Sequence, residues 1–198
     1  IATLLGSHSV ALDMVDTYRA SDARFDRGWE ERWVKVEGFG KLLPGAIQGM
    51  LAKIGLPIDA LAKVIYPCRF ARDHAAIGKR LGASTEQLQP PLMDVVGDTG
   101  AAHSLLMLAA ALEDANPGDK LLLASFGNGC DVMVLEITDA ITRLPARRAV
   151  TGHLADRADL GSYEKFAVFR EILPVEKGIR GEFEAPSALS VLYRDRRR

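Results

Sequence analysis

The chain has 198 residues, of which 48% are hydrophobic and 26% are charged, and its formal net charge is −1. This is the composition of a globular protein large enough to bury a core, and the balanced charge excludes a general attraction to nucleic acid or to an acidic membrane. Cys68 and Cys130 are too few for a disulfide framework and lack zinc-site spacing. We therefore expect a cytoplasmic protein with no metal site, and no apolar run reaches the length of a membrane span.

The first 33 residues combine a strand pattern with a charged segment. In residues 1–18, apolar positions alternate with smaller or polar ones, which predicts two short strands separated at Gly6 and Ser7. Residues 19–33 are charged and include three aromatics, which is typical of a surface loop or of a segment that covers a binding channel. Because the chain begins within a strand pattern and without methionine, we expect a piece of a longer chain or a trimmed one.

The middle of the chain alternates helix and strand patterns. Apolar residues at helical spacing predict a helix that ends at Gly55, and residues 61–66 predict a buried strand. A second helix is predicted to end at Gly82. Residues 90–97 predict a strand or an extended run, followed by an Ala- and Leu-rich helix that is buried nearly all round. Asn-Gly between two apolar runs then predicts a hairpin around residues 127–129.

This order of elements resembles the C-terminal half of a thiolase-superfamily condensing enzyme. The resemblance covers roughly residues 1–140, is most specific in residues 55–84 and 95–138, and is greatest to archaeal-type hydroxymethylglutaryl-CoA synthases and ketoacyl synthase III enzymes. It implies an α/β fold of the thiolase-like, αβαβα layered type, of which this chain is the C-terminal half. It also implies a coenzyme A thioester as substrate, with no tightly bound cofactor.

The resemblance assigns site positions. The family's histidine follows the strand that ends Val-Ile-Tyr here, where this chain has Pro67, and the family's asparagine stands where this chain has Asp98. The glycine-rich hairpin that borders the family's active site is kept. We therefore expect Pro67, Phe126, Gly127 and Asn128 to contact substrate. The family's nucleophilic cysteine lies in the N-terminal half, outside this chain.

The two replacements alter the chemistry that this site can perform. Claisen condensation needs an acyl-carrying thiolate, donors to the developing oxyanion, and a group that moves a proton. Pro67 offers no proton, and an ionised Asp98 only accepts hydrogen bonds, donating one only if burial keeps it protonated. Asp98 is also a suitable cap, as is Thr99, for the helix that follows.

Three functions remain open. The chain is part of a hydroxymethylglutaryl-CoA-synthase-like acyltransferase that condenses acyl-CoA, or it is a catalytically degenerate thiolase-fold binding or scaffold subunit. The third hypothesis is altered acyl-thioester chemistry with Asp98, His103 or Cys68 as catalytic residues. The structural alternatives are a hydrogen-bonded core histidine at His103 and a small buried residue at Cys68.

The remainder of the chain is charged and poor in strand pattern. We expect a thiolase-like half over residues 1–141 and a mostly irregular tail over residues 142–198, with one short helix near 161–171. Residues 162–174 and 185–198 resemble the linker to a zinc-ribbon/OB-fold acyl-CoA-binding module, whose paired cysteines are absent here. The implied partners are acyl-CoA, the missing N-terminal half or a thiolase-fold partner, and such a module. An oligomer is expected, because half a fold exposes apolar faces.

Overall fold

A computed structural model describes residues 1–175 of the chain, and its centre is a mixed four-stranded sheet. Two short strands form a separate hairpin beside it. The strands are β1 (Ala2–Ala11), β2 (Thr17–Tyr18), β3 (Arg27–Gly28), β4 (Lys63–Ile65), β5 (Lys120–Phe126) and β6 (Gly129–Ile137). The main sheet has the order β1-β6-β5-β4, in which only β5 and β4 are parallel and the other neighbours are antiparallel.

The N-terminal pattern forms one long strand, so the prediction of two strands separated at Gly6 and Ser7 was wrong. β1 pairs with β6 along its whole length, and the register shifts between Leu4 and Gly6. A bulge of this kind absorbs one residue and lets the strand continue past an irregular position.

The helices that the sequence pattern predicts are present, with differences in extent, together with others that it does not predict. Their bounds are α1 (Glu31–Trp33), α2 (Leu43–Ile54), α3 (Ala71–Leu81), α4 (Met93–Val96), α5 (His103–Ala111), α6 (Ala149–Ala155) and α7 (Tyr163–Phe169). A π-helical stretch, Val34–Leu42, joins α1 to α2. The predicted helix ends are confirmed, because Gly55 and Gly82 cap α2 and α3 in the left-handed conformation, at φ of 66° and 85°.

Two expectations about residues 90–111 were wrong. The predicted extended run contains α4, a single turn in which the N–H of Gly97 donates to the carbonyl of Met93. The following helix, α5, buries one face, whereas Leu105 on its other face is 60% exposed. Within residues 1–175, α5 is therefore less buried than its apolar composition predicts.

The sheet separates two apolar cores. Strand side chains alternate between the two faces, so Val64 and Leu122 pack with α2 on one face, while Ile65 and Leu123 pack with Met107 of α5 on the other. Helices thus cover both faces of the sheet, and the carboxyl ends of the parallel strands β4 and β5 open at one edge.

The chain divides into two compact units, Ile1–Asp156 and Arg157–Arg198. The described part of the second unit contains α7, which confirms the predicted short helix near residues 161–171. The first unit also contains α6, which the sequence pattern did not predict. Residues 185–198, which resemble a module linker, lie outside the described residues. No helix within residues 1–175 is long and apolar enough to cross a membrane.

Candidate active-site cavity

A cavity of about 620 Å³ lies at the carboxyl ends of β4 and β5. Because these strands are parallel neighbours, the residues that follow them meet at one sheet edge. Five residues singled out from the sequence line the cavity: Pro67, Asp98, His103, Phe126 and Gly127. Two others, Cys68 and Asn128, are not among its lining residues.

Cys68 points into the core rather than into the cavity. It is 1% exposed, and its thiol donates to the carbonyl oxygen of Phe70 at 3.5 Å. Burial raises the pKa of Cys68 to about 11, so the group is a thiol rather than a nucleophilic thiolate near neutral pH. These features favour the interpretation of Cys68 as a small buried residue.

Asp98 is exposed at the cavity wall. Its Oδ1 accepts a hydrogen bond from the N–H of Gly100 at 2.8 Å, which forms an Asx-type turn ahead of α5. It does not cap α5 itself, whose N-cap residue is Ala102 and has no side-chain cap. The side chain of Thr99 does not cap α5 either. The second carboxylate oxygen of Asp98 has no hydrogen-bond partner within residues 1–175.

His103 is 1% exposed, and both of its ring nitrogens are engaged. Nε2 lies 2.6 Å from the carbonyl oxygen of Pro91, and Nδ1 lies 3.0 Å from the hydroxyl of Thr99. The main-chain N–H of Thr99 also donates to Nδ1, at 3.4 Å. The histidine thus reaches the cavity wall, but neither nitrogen is free to exchange a proton with a ligand.

The hairpin after β5 has the turn chemistry that its sequence predicts. Asn128 adopts a φ of 49°, in the left-handed region that two-residue hairpin loops require. The N–H of Gly127 donates to the carbonyl of Gly129 at 3.1 Å, so it closes the turn and does not face a ligand. Phe126 packs on Phe39, with ring centroids 4.7 Å apart, and forms an apolar wall of the cavity.

The cavity also contains residues that sequence reasoning did not select. Arg27 of the β2–β3 hairpin lines it, as does Ser125 at the end of β5. Arg69, just after Pro67, forms an ion pair with Asp16 at 3.4 Å. In the sequence, the signal for Arg27 was the charged and aromatic composition of residues 19–33, which is typical of a surface loop or of a segment that covers a channel. Part of this segment does border the cavity.

Within residues 1–175, no group of histidine, cysteine and carboxylate side chains is arranged to hold a metal ion.

Comparison with known proteins identifies relatives in one enzyme class, although no family model matches the chain. The hydroxymethylglutaryl-CoA synthase of Methanothermobacter thermautotrophicus is 27% identical over 172 residues, which are 85% of this chain and 49% of the relative. That of Aeropyrum pernix is 32% identical over 139 residues, 68% of this chain and 38% of the relative. The chain thus spans about half or less of the length of these relatives.

Solved structures of condensing enzymes share the fold. A hydroxymethylglutaryl-CoA synthase complexed with CoA superposes with a TM-score of 0.70 at 14% identity, covering 91% of this chain and 50% of that one. The 3-oxoacyl-(acyl carrier protein) synthase III of Pseudomonas aeruginosa gives a TM-score of 0.59 at 21% identity, covering 69% and 44%. The chain therefore has a thiolase-like α/β fold, and the proteins that it resembles in sequence and in structure are condensing enzymes of the thiolase superfamily.

Proposed function

We propose that this chain forms one half of the active-site cavity of an acyl-CoA condensing acyltransferase similar to hydroxymethylglutaryl-CoA synthase. The observation that carries the proposal is the cavity in which Pro67, Asp98 and Gly127 lie together. The family resemblance assigns active-site positions to these three residues. Further support comes from the relatives named hydroxymethylglutaryl-CoA synthase and from a structural neighbour that is complexed with CoA.

The ligand proposed for the cavity is the thioester end of an acyl-CoA. A volume of about 620 Å³ falls in the range of small-molecule sites, and the wall combines aromatic surface at Phe126 with polar atoms at Asp98 and Ser125. Such a mixture suits an acyl group attached to a polar thioester. No tightly bound cofactor is part of the proposal.

A second candidate is a thiolase-fold subunit that binds acyl-CoA or supports an active partner without catalysing condensation. The observation that favours it is the chemistry of the three residues that stand at the family's active-site positions. Pro67 has no proton to give, Asp98 presents a carboxylate, and the N–H of Gly127 is used within its own turn. None of these groups donates to a developing oxyanion.

A third candidate is altered acyl-thioester chemistry. Of the three side chains considered for it, Cys68 is buried away from the cavity and His103 has both nitrogens engaged. Asp98 alone presents an unoccupied oxygen at the cavity wall. This candidate therefore rests on Asp98 acting as the base or as a hydrogen-bond acceptor for the substrate.

We infer that the chain works with a second thiolase-like half, either an N-terminal half or a thiolase-fold partner, within an oligomer. Leu105 of α5 is 60% exposed and Leu4 of the edge strand β1 is 56% exposed. Edge strands and apolar helix faces of this kind are ordinarily covered in soluble proteins. A zinc-ribbon/OB-fold acyl-CoA-binding module is a further proposed partner.

The test uses the complete product of the encoding gene, supplied with acetyl-CoA and acetoacetyl-CoA. Calorimetry measures binding, and mass spectrometry measures formation of hydroxymethylglutaryl-CoA. Binding with product formation supports the condensing enzyme, and binding without product supports the degenerate subunit. Absence of any binding by acetyl-CoA or acetoacetyl-CoA would overturn the proposal.

A further inference from the structure

His103 joins the two ends of one wall of the cavity. Residues 91–99 contain α4 and contribute Met93 and Asp98 to the lining. The imidazole contacts the carbonyl of Pro91 at the start of this segment and Thr99 at its end. One side chain of α5 therefore connects both ends of the wall to the helix.

The partners of His103 determine where its ring proton lies. A carbonyl oxygen only accepts hydrogen bonds, so Nε2 must donate to Pro91. The main-chain N–H of Thr99 only donates, so Nδ1 must be the acceptor. The two bonds together fix the neutral Nε2–H tautomer, in which the Thr99 hydroxyl also donates to Nδ1.

Residues 91–99, the segment that His103 holds, have a backbone conformation that is only weakly stabilised by local interactions. Leu92 adopts a φ of 59° and Gly97 a φ of 71°, and a left-handed conformation is unfavourable for a residue such as leucine. The backbone hydrogen bonds of this turn are local, from the N–H groups of residues 95–97 to the carbonyls of Leu92 and Met93. A conformation of this kind persists when its surroundings fix it.

We propose that His103 is a positioning residue of the cavity: as the neutral Nε2–H tautomer it clamps Pro91 to Thr99 and thereby fixes Asp98 and Met93 at the cavity wall. The ligand-binding consequence rests on the proposed function, whereas the tautomer and the rigidity of residues 91–99 do not. His103 acts through this segment and does not itself react with substrate.

The experiment compares the complete chain with three variants at this position. In His103→Asn the amide oxygen replaces Nδ1 and keeps only the link to Thr99, whereas in His103→Gln the amide nitrogen replaces Nε2 and keeps only the link to Pro91. His103→Ala removes both links. His153→Ala, at an exposed histidine that does not line the cavity, is the matched control. The readouts are the tautomer, by nitrogen NMR of the imidazole, amide hydrogen exchange of residues 91–99, and acetyl-CoA affinity.

We expect an Nε2–H tautomer in the unmodified chain. The rate of amide hydrogen exchange in residues 91–99 should rise about tenfold or more in His103→Ala, because this variant loses the net stabilisation of about one hydrogen bond at each end of the segment. The increase should be smaller in His103→Asn and His103→Gln, each confined to the end that it releases, and absent in His153→Ala. Acetyl-CoA affinity should fall in the same order.

An Nδ1–H tautomer would overturn the proposal, as would unchanged exchange in the Asn and Gln variants. These two variants decide the question if His103→Ala fails to fold. If the exchange results hold while the unmodified protein does not bind acetyl-CoA, the clamp stands and the proposed function fails.

Discussion

Asp98 is the residue whose chemistry most directly separates the candidate functions. A carboxylate at the cavity wall repels developing negative charge, whereas an amide of the same shape donates a hydrogen bond to it. If the cavity performs condensation, Asp98→Asn should raise the rate of condensation of acetyl-CoA with acetoacetyl-CoA, by about tenfold or more for one added donor.

The control for this change is Asp94→Asn, an exposed carboxylate on α4 that does not line the cavity. A gain in Asp98→Asn alone supports the condensing site. Loss of a thioester-dependent activity in Asp98→Asn would instead favour altered chemistry that uses the carboxylate.

Gly38 allows the aromatic wall of the cavity to form. A Cβ added there would lie 2.5 Å from Cζ of Phe126 and 3.2 Å from Cε of Met14. Gly38→Ala should therefore displace the Phe126 ring, lower the free energy of unfolding by about 1–3 kcal/mol, and weaken acyl-CoA binding.

Urea unfolding measures the stability change, with Gly45→Ala as control. A Cβ at Gly45 meets nothing within 4 Å, so alanine there should stabilise α2 by up to about 1 kcal/mol through its helix propensity. Equal changes in the free energy of unfolding for the two substitutions would show that the Phe126 ring does not limit the size of the side chain at position 38.

The two cysteines should be inert in the folded protein. Burial raises the pKa of Cys68 to about 11 and that of Cys130 to about 12, so both are thiols at pH 8. Iodoacetamide at pH 8 should modify both in urea and neither in the native protein, as read by peptide mass spectrometry. Rapid native modification of Cys68 would restore it as a candidate nucleophile.

At the scale of elements, Glu113 holds α6 onto the end of α5. Its carboxylate accepts from the N–H of Val150 at 2.6 Å and from the N–H and the hydroxyl of Thr151. Burial raises the pKa of Glu113, but the hydrogen bonds from Thr151 and Val150 outweigh this effect, and the net pKa lies below the ordinary value of 4.5.

Because the folded-state pKa of Glu113 is lowered, its stabilisation of α6 is fully present above pH 4.5 and is lost as the pH falls through the lower folded-state value. The hydrogen-exchange protection factors of residues 149–155, which correct for the intrinsic pH dependence of amide exchange, should therefore fall on acidification below pH 4.5 in the unmodified chain. Glu113→Ala should show low protection factors already at pH 7, whereas the neighbouring Asp114→Asn should not. Protection factors that are independent of both pH and Glu113 would show that α6 is held by its apolar contacts alone.

The elements that the sequence predicted well have strong local signals. The strand β4 is an apolar run that ends at a proline, and the hairpin at residues 127–129 has Asn-Gly between apolar runs. The helix ends at Gly55 and Gly82 need the left-handed conformation that glycine adopts readily. In each case one short stretch of sequence contains the physical cause.

The elements that were missed depend on distant residues. The turn α4 includes Leu92 in a left-handed conformation, which no propensity predicts, and it is held from α5 by His103. Helix α6 is anchored by Glu113, 37 residues earlier in the chain. Such elements follow from tertiary contacts, which periodicity does not report.

On the scale of the whole molecule, the candidate site was only partly predictable. The family resemblance identified Pro67, Asp98 and Gly127, and these residues share a cavity. The resemblance could not identify Arg27, because that residue belongs to a charged hairpin whose position against the sheet edge depends on the fold. The hydrogen-bond roles of the two ring nitrogens of His103 likewise depend on contacts with residues 91–99 that form only in the fold.

Whether the cavity binds acyl-CoA is decided by a calorimetric titration of acetyl-CoA into the complete protein and two tryptophan variants. Ala101→Trp fills the cavity at the ends of β4 and β5, whereas Ala109→Trp places the same bulk in a separate apolar pocket along α5. We expect saturable binding that Ala101→Trp abolishes and Ala109→Trp preserves. Binding that survives Ala101→Trp would show that the acyl-CoA site lies outside this cavity.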